Sequence, residues 1–295
     1  MKYDVIVIGA GVVGCAVARE LSRYQLNIAV LEKELDVATG NSGRNTGMLH
    51  AGFTYKPGSL KAECAVEGNR EFDQVAEELG VPFKRTGKLV VGFTEKDREN
   101  ILKFKAIGEQ NGVEGLEMID KKRMAEIDPY AGGEFAMYSP MSGILDPMQY
   151  TIALAENACR NGVHFFFGQK VTGITQNGEG YRIEAEKKTY ETRWVINCAG
   201  MYASEISQML GYPYYPVKGF KGEYFVLDKK AGKKLKVPVY PAPNEKGGFS
   251  THATPTIDGN VLVGPDSYVV EDREDYSVTK EHLDGLVRDG SKMFD

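Results

Sequence analysis

Residues 3–33, YDVIVIGAGVVGCAVARELSRYQLNIAVLEK, constrain what this chain can fold into more than any other stretch, because they read as one strand–helix–strand unit. Val5, Ile6, Val7 and Ile8 form an apolar, β-branched run without polar interruption, which suits a parallel strand covered on both faces. Gly9, Gly11 and Gly14 follow at G-x-G-x-x-G spacing. In such a unit the first glycine permits a tight turn, the second lets backbone approach a pyrophosphate, and the third brings the helix close to the strand. The spacing predicts a helix over 12–24 whose N-terminal N–H groups and positive dipole end face the phosphates. A second strand over 27–31 leads into Glu32, placed to accept hydrogen bonds from ribose hydroxyls, with Lys33 beside it. An acid rather than an arginine there repels a 2′-phosphate and argues against NADP.

Residues 36–55 are rich in small and hydroxylated side chains and too polar for a core. A long loop of this kind usually has a function. Thr39, Asn41, Ser42, Asn45 and Thr46 supply short donors and acceptors, and Gly40, Gly43 and Gly47 let backbone come close to a ligand. They suit a second nucleotide half or a ribityl chain; the alternative is a solvated surface loop. His50, between Leu49 and Ala51, reads either as a satisfied core residue or as a catalyst.

Apolar spacing predicts a helix over 60–79, with Leu60, Cys64, Phe72, Val75, Ala76 and Leu79 on its buried stripe and Gly80 closing it. A strand over 89–93, a helix over 95–111, a strand over 116–119 and a short helix over 121–127 follow, the last stopped by Asp128-Pro129. They carry no nucleotide fingerprint and read as the start of an inserted domain. From Asp146-Pro147 the alternating pattern returns, with a helix through 161, a strand over 163–167, a hairpin at Gly178 and Gly180, and a strand over 194–198. That strand runs into Ala199 and Gly200, a turn placed at the carboxyl edge of a parallel sheet, where ligands bind. Beyond residue 213 the segments 217–227, 237–241, 248–252 and 261–264 predict an antiparallel sheet containing Lys218, Lys221 and His252. The lysine run over 229–236 reads as a solvated edge hairpin, and a helix is expected over 279–294.

The expected class is therefore α/β. A Rossmann-like, dinucleotide-binding domain is formed by residues 1–80 and 145–212, and a discontinuous α+β substrate domain on an antiparallel sheet by 81–144 and 213–270. Residues 271–295 are expected to form a C-terminal helix returning toward the first domain. A length of 295 residues suits two domains. A net charge of −5 provides no footprint for nucleic acid, so any basic site for an anion must be local. The four cysteines are far apart and form no C-x-x-C pair, which predicts buried free thiols in a reducing cytoplasm. No run approaches the roughly 20 apolar residues of a spanning helix, so membrane contact could only be peripheral, at the inner face of the cell membrane. No metal site is expected.

A single fingerprint leaves no obvious place for NAD and FAD together, so an NAD-only dehydrogenase and a flavoprotein remain. The polar loop after Glu32 favours FAD, which must run from an adenosine site across the domain toward a substrate-capping domain. His50 and His252 both lie in glycine- and threonine-rich contexts, as suits a base for the proton that accompanies hydride loss.

The stretches VIVIGAGVVGCAVARELS with LEKE, SGRNTGMLHAGF, VINCAG, FKGEYFVL and HATPTIDGNVLVGPD, spread over residues 5–266, resemble the FAD-dependent oxidoreductase superfamily typified by D-amino-acid oxidase. They are most similar to its glycerol-3-phosphate dehydrogenase and L-2-hydroxyglutarate dehydrogenase branch. The resemblance implies that Glu32 takes the adenosine ribose, that Gly11 and Gly14 take the pyrophosphate, and that Thr39, Ser42 and Asn45 take the phosphate and ribityl region. Lys33, Gly9, Thr46, Gly47, Ala199 and Gly200 join this set, with Val171 on the adenine side. It further implies that His50 lies near the flavin, that FKGEYF and THATPT line the substrate face, and that Lys218, Lys221 and His252 hold a phosphate or carboxylate. Such relatives continue past the last helix into a further strand and a glycine-rich segment, so a fragment with weakened FAD binding, inactive alone, is expected. The implied activity is oxidation of a small anionic 2-hydroxy compound, glycerol 3-phosphate first and L-2-hydroxyglutarate second. Electrons would pass to a quinone, a partner flavin or iron–sulfur protein, or oxygen. An amino-acid or amine oxidase and a non-catalytic flavin-binding subunit are the more distant readings.

Overall fold

In a computed structural model, which describes residues 2–245 and 247–293, the apolar run at residues 5–8 becomes part of a Lys2–Ile8 strand at the centre of a six-stranded sheet. Across this sheet the order is Val171–Asn177, Gly180–Ala185, Thr189–Asn197, Lys2–Ile8, Ile28–Leu31 and His164–Phe166. The last four run parallel, with Val7 beside Ile196 on one side and Val30 on the other. The first two form the antiparallel hairpin expected at Gly178 and Gly180.

Successive side chains of Lys2–Ile8 enter two different cores, which explains the unbroken apolar run. Val5 and Val7 pack with Cys15 and Ala18 of helix Val12–Leu21 and with Leu154 and Ala158 of helix Pro147–Arg160. Tyr3, Ile6 and Ile8 pack with Ile174, Ile183, Tyr190 and Ile206. The first helix stops at Leu21, short of the expected Tyr24, because Tyr24 N–H turns back to the Leu21 carbonyl at 3.0 Å.

The second sheet has seven strands in the order Phe225–Leu227, Val261–Gly264, His252–Pro255, Val239–Pro241, Lys88–Gly92, Phe135–Ser139 and Glu117–Asp120. Leu89, Val91, Val239 and Ala253 bury one face with Met124 and Met293, while Val90, Met137 and Tyr240 bury the other with Phe53, Ile101 and Phe104. Strands Met48–Leu49, Gly143–Leu145 and Phe83–Lys84 make a further three-stranded sheet.

Several expectations are corrected. The sheet is not purely antiparallel, because Val239–Pro241 runs parallel to Lys88–Gly92. These strands come from separate visits of the chain, so no hairpin dictates their direction. Segment 217–227 is not one strand but two, Gly219–Lys221 and Phe225–Leu227, with the intervening Glu223 N–H diverted to the Asp266 carboxylate at 2.8 Å. The strand placed at 248–252 begins instead at His252, because Gly248 bonds Asn244 through both its N–H and its carbonyl rather than a neighbouring strand. The lysine run starts as a helical turn, Lys229–Gly232, rather than a hairpin, since Asp228 caps it by accepting from Lys230 N–H. Strands Phe83–Lys84, Phe135–Ser139 and Gly143–Leu145 were not expected.

The compact units also divide differently from the expected boundaries: Met1–Asn45, Leu79–Val81 and Pro147–Gly219 form one, and Thr46–Glu78, Pro82–Asp146 and Phe220–Asp295 the other. Helix Leu60–Leu79 falls almost wholly in the second unit, where Val66 joins the Phe53 core. Helix Lys280–Gly290 also belongs there, with Gly290 against Val263 and the Met293 carbonyl accepting from Gly132 N–H. The expected end of this helix at Phe294 lies outside the described residues. Cys64 and Cys159 are exposed rather than buried, since they occupy solvent-facing positions of their helices; Cys15 is buried and Cys198 half-buried.

Candidate functional site

In the first unit the strand order reverses beside Lys2–Ile8, with Ile28–Leu31 on one side and Thr189–Asn197 on the other. Ligands of open α/β sheets bind outside the carboxyl ends of the strands at such a point. Two of the three glycines are required there by the protein itself. Gly9 has φ +102°, and a Cβ on it would lie 2.5 Å from the Cys198 carbonyl oxygen; one on Gly14 would lie 2.0 Å from the Gly9 carbonyl oxygen. Gly11 differs, having an extended backbone with φ −74°, where a Cβ would meet only Ser42 Oγ, at 3.1 Å. Packing does not demand a glycine there, whereas close approach of a pyrophosphate does.

Ser42 Oγ accepts from Val12 N–H at 2.9 Å, so the polar loop caps the fingerprint helix. Asn45 steadies the loop by donating to the carbonyls of Asn41 and Ser42. The Glu32 carboxylate accepts from Ala10 N–H at 2.7 Å and from Glu34 N–H at 2.9 Å. These bonds aim it at the turn while each oxygen keeps a lone pair for a ribose hydroxyl. Lys33 pairs with Glu34 and lies over the Tyr202 ring at 4.6 Å. Val171 is buried at the start of its strand. Ala199 N–H donates to Asn197 Oδ1, and Gly200 turns with φ +54°. Thr39 is half-buried in this unit. Thr46 and Gly47 fall in the second unit, where the Gly47 carbonyl accepts from Leu145 N–H.

The second unit holds both predicted histidines. His252 is 7% exposed, and its ring stacks on Tyr240 with centroids 3.7 Å apart. Its Nδ1 lies 3.0 Å from the Ser250 carbonyl, an acceptor, so Nδ1 carries the hydrogen and Nε2 keeps a lone pair when the ring is neutral. Burial, with a contribution from Lys88, pushes His252 down to about 4 against the opposing bond to Ser250. Burial also pushes the Tyr240 hydroxyl up to about 12.

His50 follows strand Met48–Leu49, and Asn69 pins its carbonyl at 3.0 Å. Asn69 also donates to the Met141 carbonyl and accepts from Arg85 Nη1. His50 remains exposed, yet its pKa is lowered, first by the protein packed around the ring and then by Lys88, His252 and Lys61. Exposure opposes the first of these causes, but every neighbouring group acts in the same sense, so the ring is neutral near pH 7.

Lys221 pairs with Asp275 at 2.8 Å and also reaches Ser277 Oγ, so its charge is already matched. Lys218 is exposed and lies in the first unit. The cation that acts on both histidines is Lys88, which sequence reasoning passed over. It is wholly buried, and its Nζ lies 4.6 Å from the Phe53 ring centroid, 4.3 Å from Tyr240 and 5.1 Å from Phe249. The only local signal is a lysine between Gly87 and the apolar run Leu89, Val90, Val91.

Strand, glycine turn, helix and aimed carboxylate give the first unit the arrangement of a dinucleotide-binding fold. The family model described as FAD dependent oxidoreductase matches residues 4–295, and the chain belongs to this family. FAD is accordingly its cofactor, and the space above Gly11 with the aimed Glu32 carboxylate fits the pyrophosphate and ribose. The relatives place it in the glycerol-3-phosphate and L-2-hydroxyglutarate dehydrogenase branch. The chain is 41% identical over 287 residues to a glycerol 3-phosphate dehydrogenase of Caloramator mitchellensis, covering 97% of this chain and 60% of that protein. It is 34% identical over 302 residues to the mitochondrial L-2-hydroxyglutarate dehydrogenase of Nematostella vectensis, covering 96% and 66%. The chain thus spans less than two thirds of the length of these two relatives. Among solved structures it is similar to dithionite-reduced L-alpha-glycerophosphate oxidase of Mycoplasma pneumoniae with FAD bound, at TM-score 0.92 and 28% identity, covering 99% of this chain and 79% of that one.

Proposed function

We propose that the protein oxidises a small anionic 2-hydroxy compound, glycerol 3-phosphate foremost, with the first unit holding FAD and the second handling the substrate. The observation that carries this reading is the pair of neutral imidazoles, His50 and His252, set among the cations Lys61 and Lys88 without an acid shifting either ring. FAD, when bound, supplies the acceptor for the C2 hydride. His50 takes the hydroxyl proton, because it combines a neutral ring with exposure, whereas His252 is closed in by Tyr240. His252 offers its Nε2 lone pair as the second candidate base. Lys218, exposed and unpaired by any described salt bridge, is a candidate for the substrate anion, while Lys221 would first have to leave Asp275.

The likeness to a glycerol 3-phosphate dehydrogenase at 41% identity supports the first substrate. The 34% identity to an L-2-hydroxyglutarate dehydrogenase supports a second reading, with a carboxylate in place of the phosphate. Electrons then pass to a quinone, a partner redox protein or oxygen. No described helix is long and apolar enough to cross a membrane, and we place the protein in the cytoplasm or peripherally at its membrane.

Anaerobic titration of the FAD-loaded protein separates these readings. Bleaching of the flavin band by glycerol 3-phosphate at lower concentration than by L-2-hydroxyglutarate is expected. The reverse order would transfer the assignment to the hydroxy acid, and a bound flavin bleached by neither would indicate a non-catalytic subunit.

A further inference from the structure

The peptide between Ala10 and Gly11, at the centre of the glycine fingerprint, is held by its carbonyl. Ala10 is wholly buried, and that carbonyl accepts from Ala38 N–H at 3.2 Å and from the Cys15 thiol at 3.4 Å. Both donors are themselves buried, Cys15 completely and Ala38 almost so. Burial pushes the Cys15 thiol up to about 12, so the sulfur keeps the hydrogen it donates. A trans peptide sets its C=O and N–H antiparallel. With the carbonyl drawn inward to these two groups, the N–H across the same bond, that of Gly11, points away from them. It makes no hydrogen bond among the described residues, whereas the next one, Val12 N–H, is taken by Ser42 Oγ at 2.9 Å.

Ala38 makes its bond from a conformation that its side chain disfavours. Its φ of +60° is the one positive value outside glycine among the described residues, in the left-handed region that crowds a Cβ against the following carbonyl oxygen. The Ala38 carbonyl in turn lies against Gly43, where a Cβ would come within 2.4 Å of the oxygen. Strain of this kind persists where the surroundings over-determine it, and it concentrates at ligand sites. Cys15 sits one turn into helix Val12–Leu21, and helical side chains lean toward the N-terminus, which returns its thiol to the turn that opens the helix. The Ala10 N–H is fixed separately, by Glu32 at 2.7 Å. All of these residues belong to the first unit.

We propose that Cys15 and Ala38 are positioning residues for the cofactor, which clamp the Ala10 carbonyl between them and so present the Gly11 N–H, already oriented, to the FAD pyrophosphate. The proposal rests on the reading of Gly11 as the pyrophosphate contact. A donor fixed before the ligand arrives loses less freedom on binding than one that must be ordered by it. The clamp also explains why the loop after Glu32 folds back on the fingerprint through two separate bonds, Ala38 N–H to Ala10 and Ser42 Oγ from Val12. One bond turns the Gly11 N–H outward, and the other occupies its neighbour, which leaves Gly11 as the open donor.

Fluorescence titration of the protein with FAD tests this, read beside melting curves and the Gly11 amide nitrogen resonance. Cys15→Ala removes one of the two donors and should weaken FAD binding about fivefold, the size of one modest hydrogen bond. It should also move the Gly11 resonance, because that nitrogen shares its peptide with the Ala10 carbonyl. Cys15→Ser retains a donor and should stay within about twofold of the parent. Both variants lose the buried sulfur and should melt lower, so a merely structural role for Cys15 would weaken FAD binding in both alike, and that result would overturn the proposal. So would a folded Cys15→Ala protein with parental affinity and an unmoved Gly11 resonance. Ala38→Gly keeps the N–H and tolerates the left-handed φ, so it should bind FAD as the parent does; a loss like that of Cys15→Ala would overturn the part given to the Ala38 N–H. If Cys15→Ala does not fold, Cys15→Val, which fills the site without a donor, takes its place. Failure of the pyrophosphate assignment reads differently: Gly11→Ala would then bind FAD undiminished, whatever the Cys15 variants do.

Discussion

The His252 imidazole lies on the Tyr240 ring with planes 17° from parallel and centroids 3.7 Å apart. This stack fixes the ring plane, and the bond from Nδ1–H to the Ser250 carbonyl fixes the tautomer. Tyr240 borders the Lys88 cage and its own core on the same sheet face as Val90 and Met137. Tyr240→Ala should therefore cost about 3 kcal/mol or more, as truncation of core aromatics to alanine does, and lower turnover as well. Tyr240→Phe keeps both ring contacts and should stay within about 1 kcal/mol of the parent. Chemical denaturation of the two variants checks this, and equal losses would show that the ring faces are not what matters.

The glycine fingerprint should separate into folding and binding functions. Gly14→Ala forces a Cβ to 2.0 Å from the Gly9 carbonyl oxygen and should unfold the first unit. Gly11→Ala needs only a small movement of Ser42 Oγ, 3.1 Å away, and should leave the apo-protein's melting temperature nearly unchanged while weakening FAD binding at least tenfold. Flavin fluorescence titration with melting curves reports both, and undiminished affinity in Gly11→Ala would move the pyrophosphate elsewhere.

Stability should rise with pH between about 4 and 6.5. His252 has a folded pKa of about 4 against an ordinary 6.5, so within this window the unfolded chain binds more protons than the folded one. The contribution is complete above 6.5 and is lost as pH falls toward 4, amounting to something on the order of 3 kcal/mol for this buried ring. Lys88 acts with the same sign between about 7 and 10.5. His252→Gln should flatten the acid part of a melting-temperature profile; parallel profiles would show that His252 protonates normally.

His50→Ala should lower turnover about 100-fold if it takes the hydroxyl proton. His252→Ala should do so only if the proton passes to the second ring. Steady-state rates with bound flavin held equal distinguish the two, and unchanged rates in both would remove them from the chemistry.

Asn69 offers an indirect check. It is 3% exposed and links the His50 carbonyl, the Met141 carbonyl and Arg85. Asn69→Ala leaves these buried groups unmatched, which should cost about 1–3 kcal/mol, and should reduce kcat more than it changes KM. A pure stability loss with normal kcat would mean that His50 does not depend on this anchor.

Legibility followed the range of the interactions. The bounds of helices 60–79 and 121–127 were readable to the residue because their end signals lie within a turn of chain, but the expected stripe of the first was not: Leu60 and Cys64 face solvent, while Ala62, Val66, Phe72 and Ala76 are buried. The strand at Phe135–Ser139 was not, since nothing near it announces the partners Lys88–Gly92 and Glu117–Asp120. Lys221 looked like a free cation in FKGEYF until Asp275, 54 residues later, proved to hold it.

By itself the sequence determined the dinucleotide cradle, because strand, glycines, helix and acid act over some thirty consecutive residues and each is required by local geometry. The environment of the candidate base was decided only by tertiary structure. Residues 50, 53, 88, 240, 249 and 252 are scattered along the chain, and Lys88 becomes a caged, unpaired cation beside two neutral histidines only when strands from separate visits pair. Desolvation and through-space charge depend on what surrounds a group, and the order of residues along a chain does not state that.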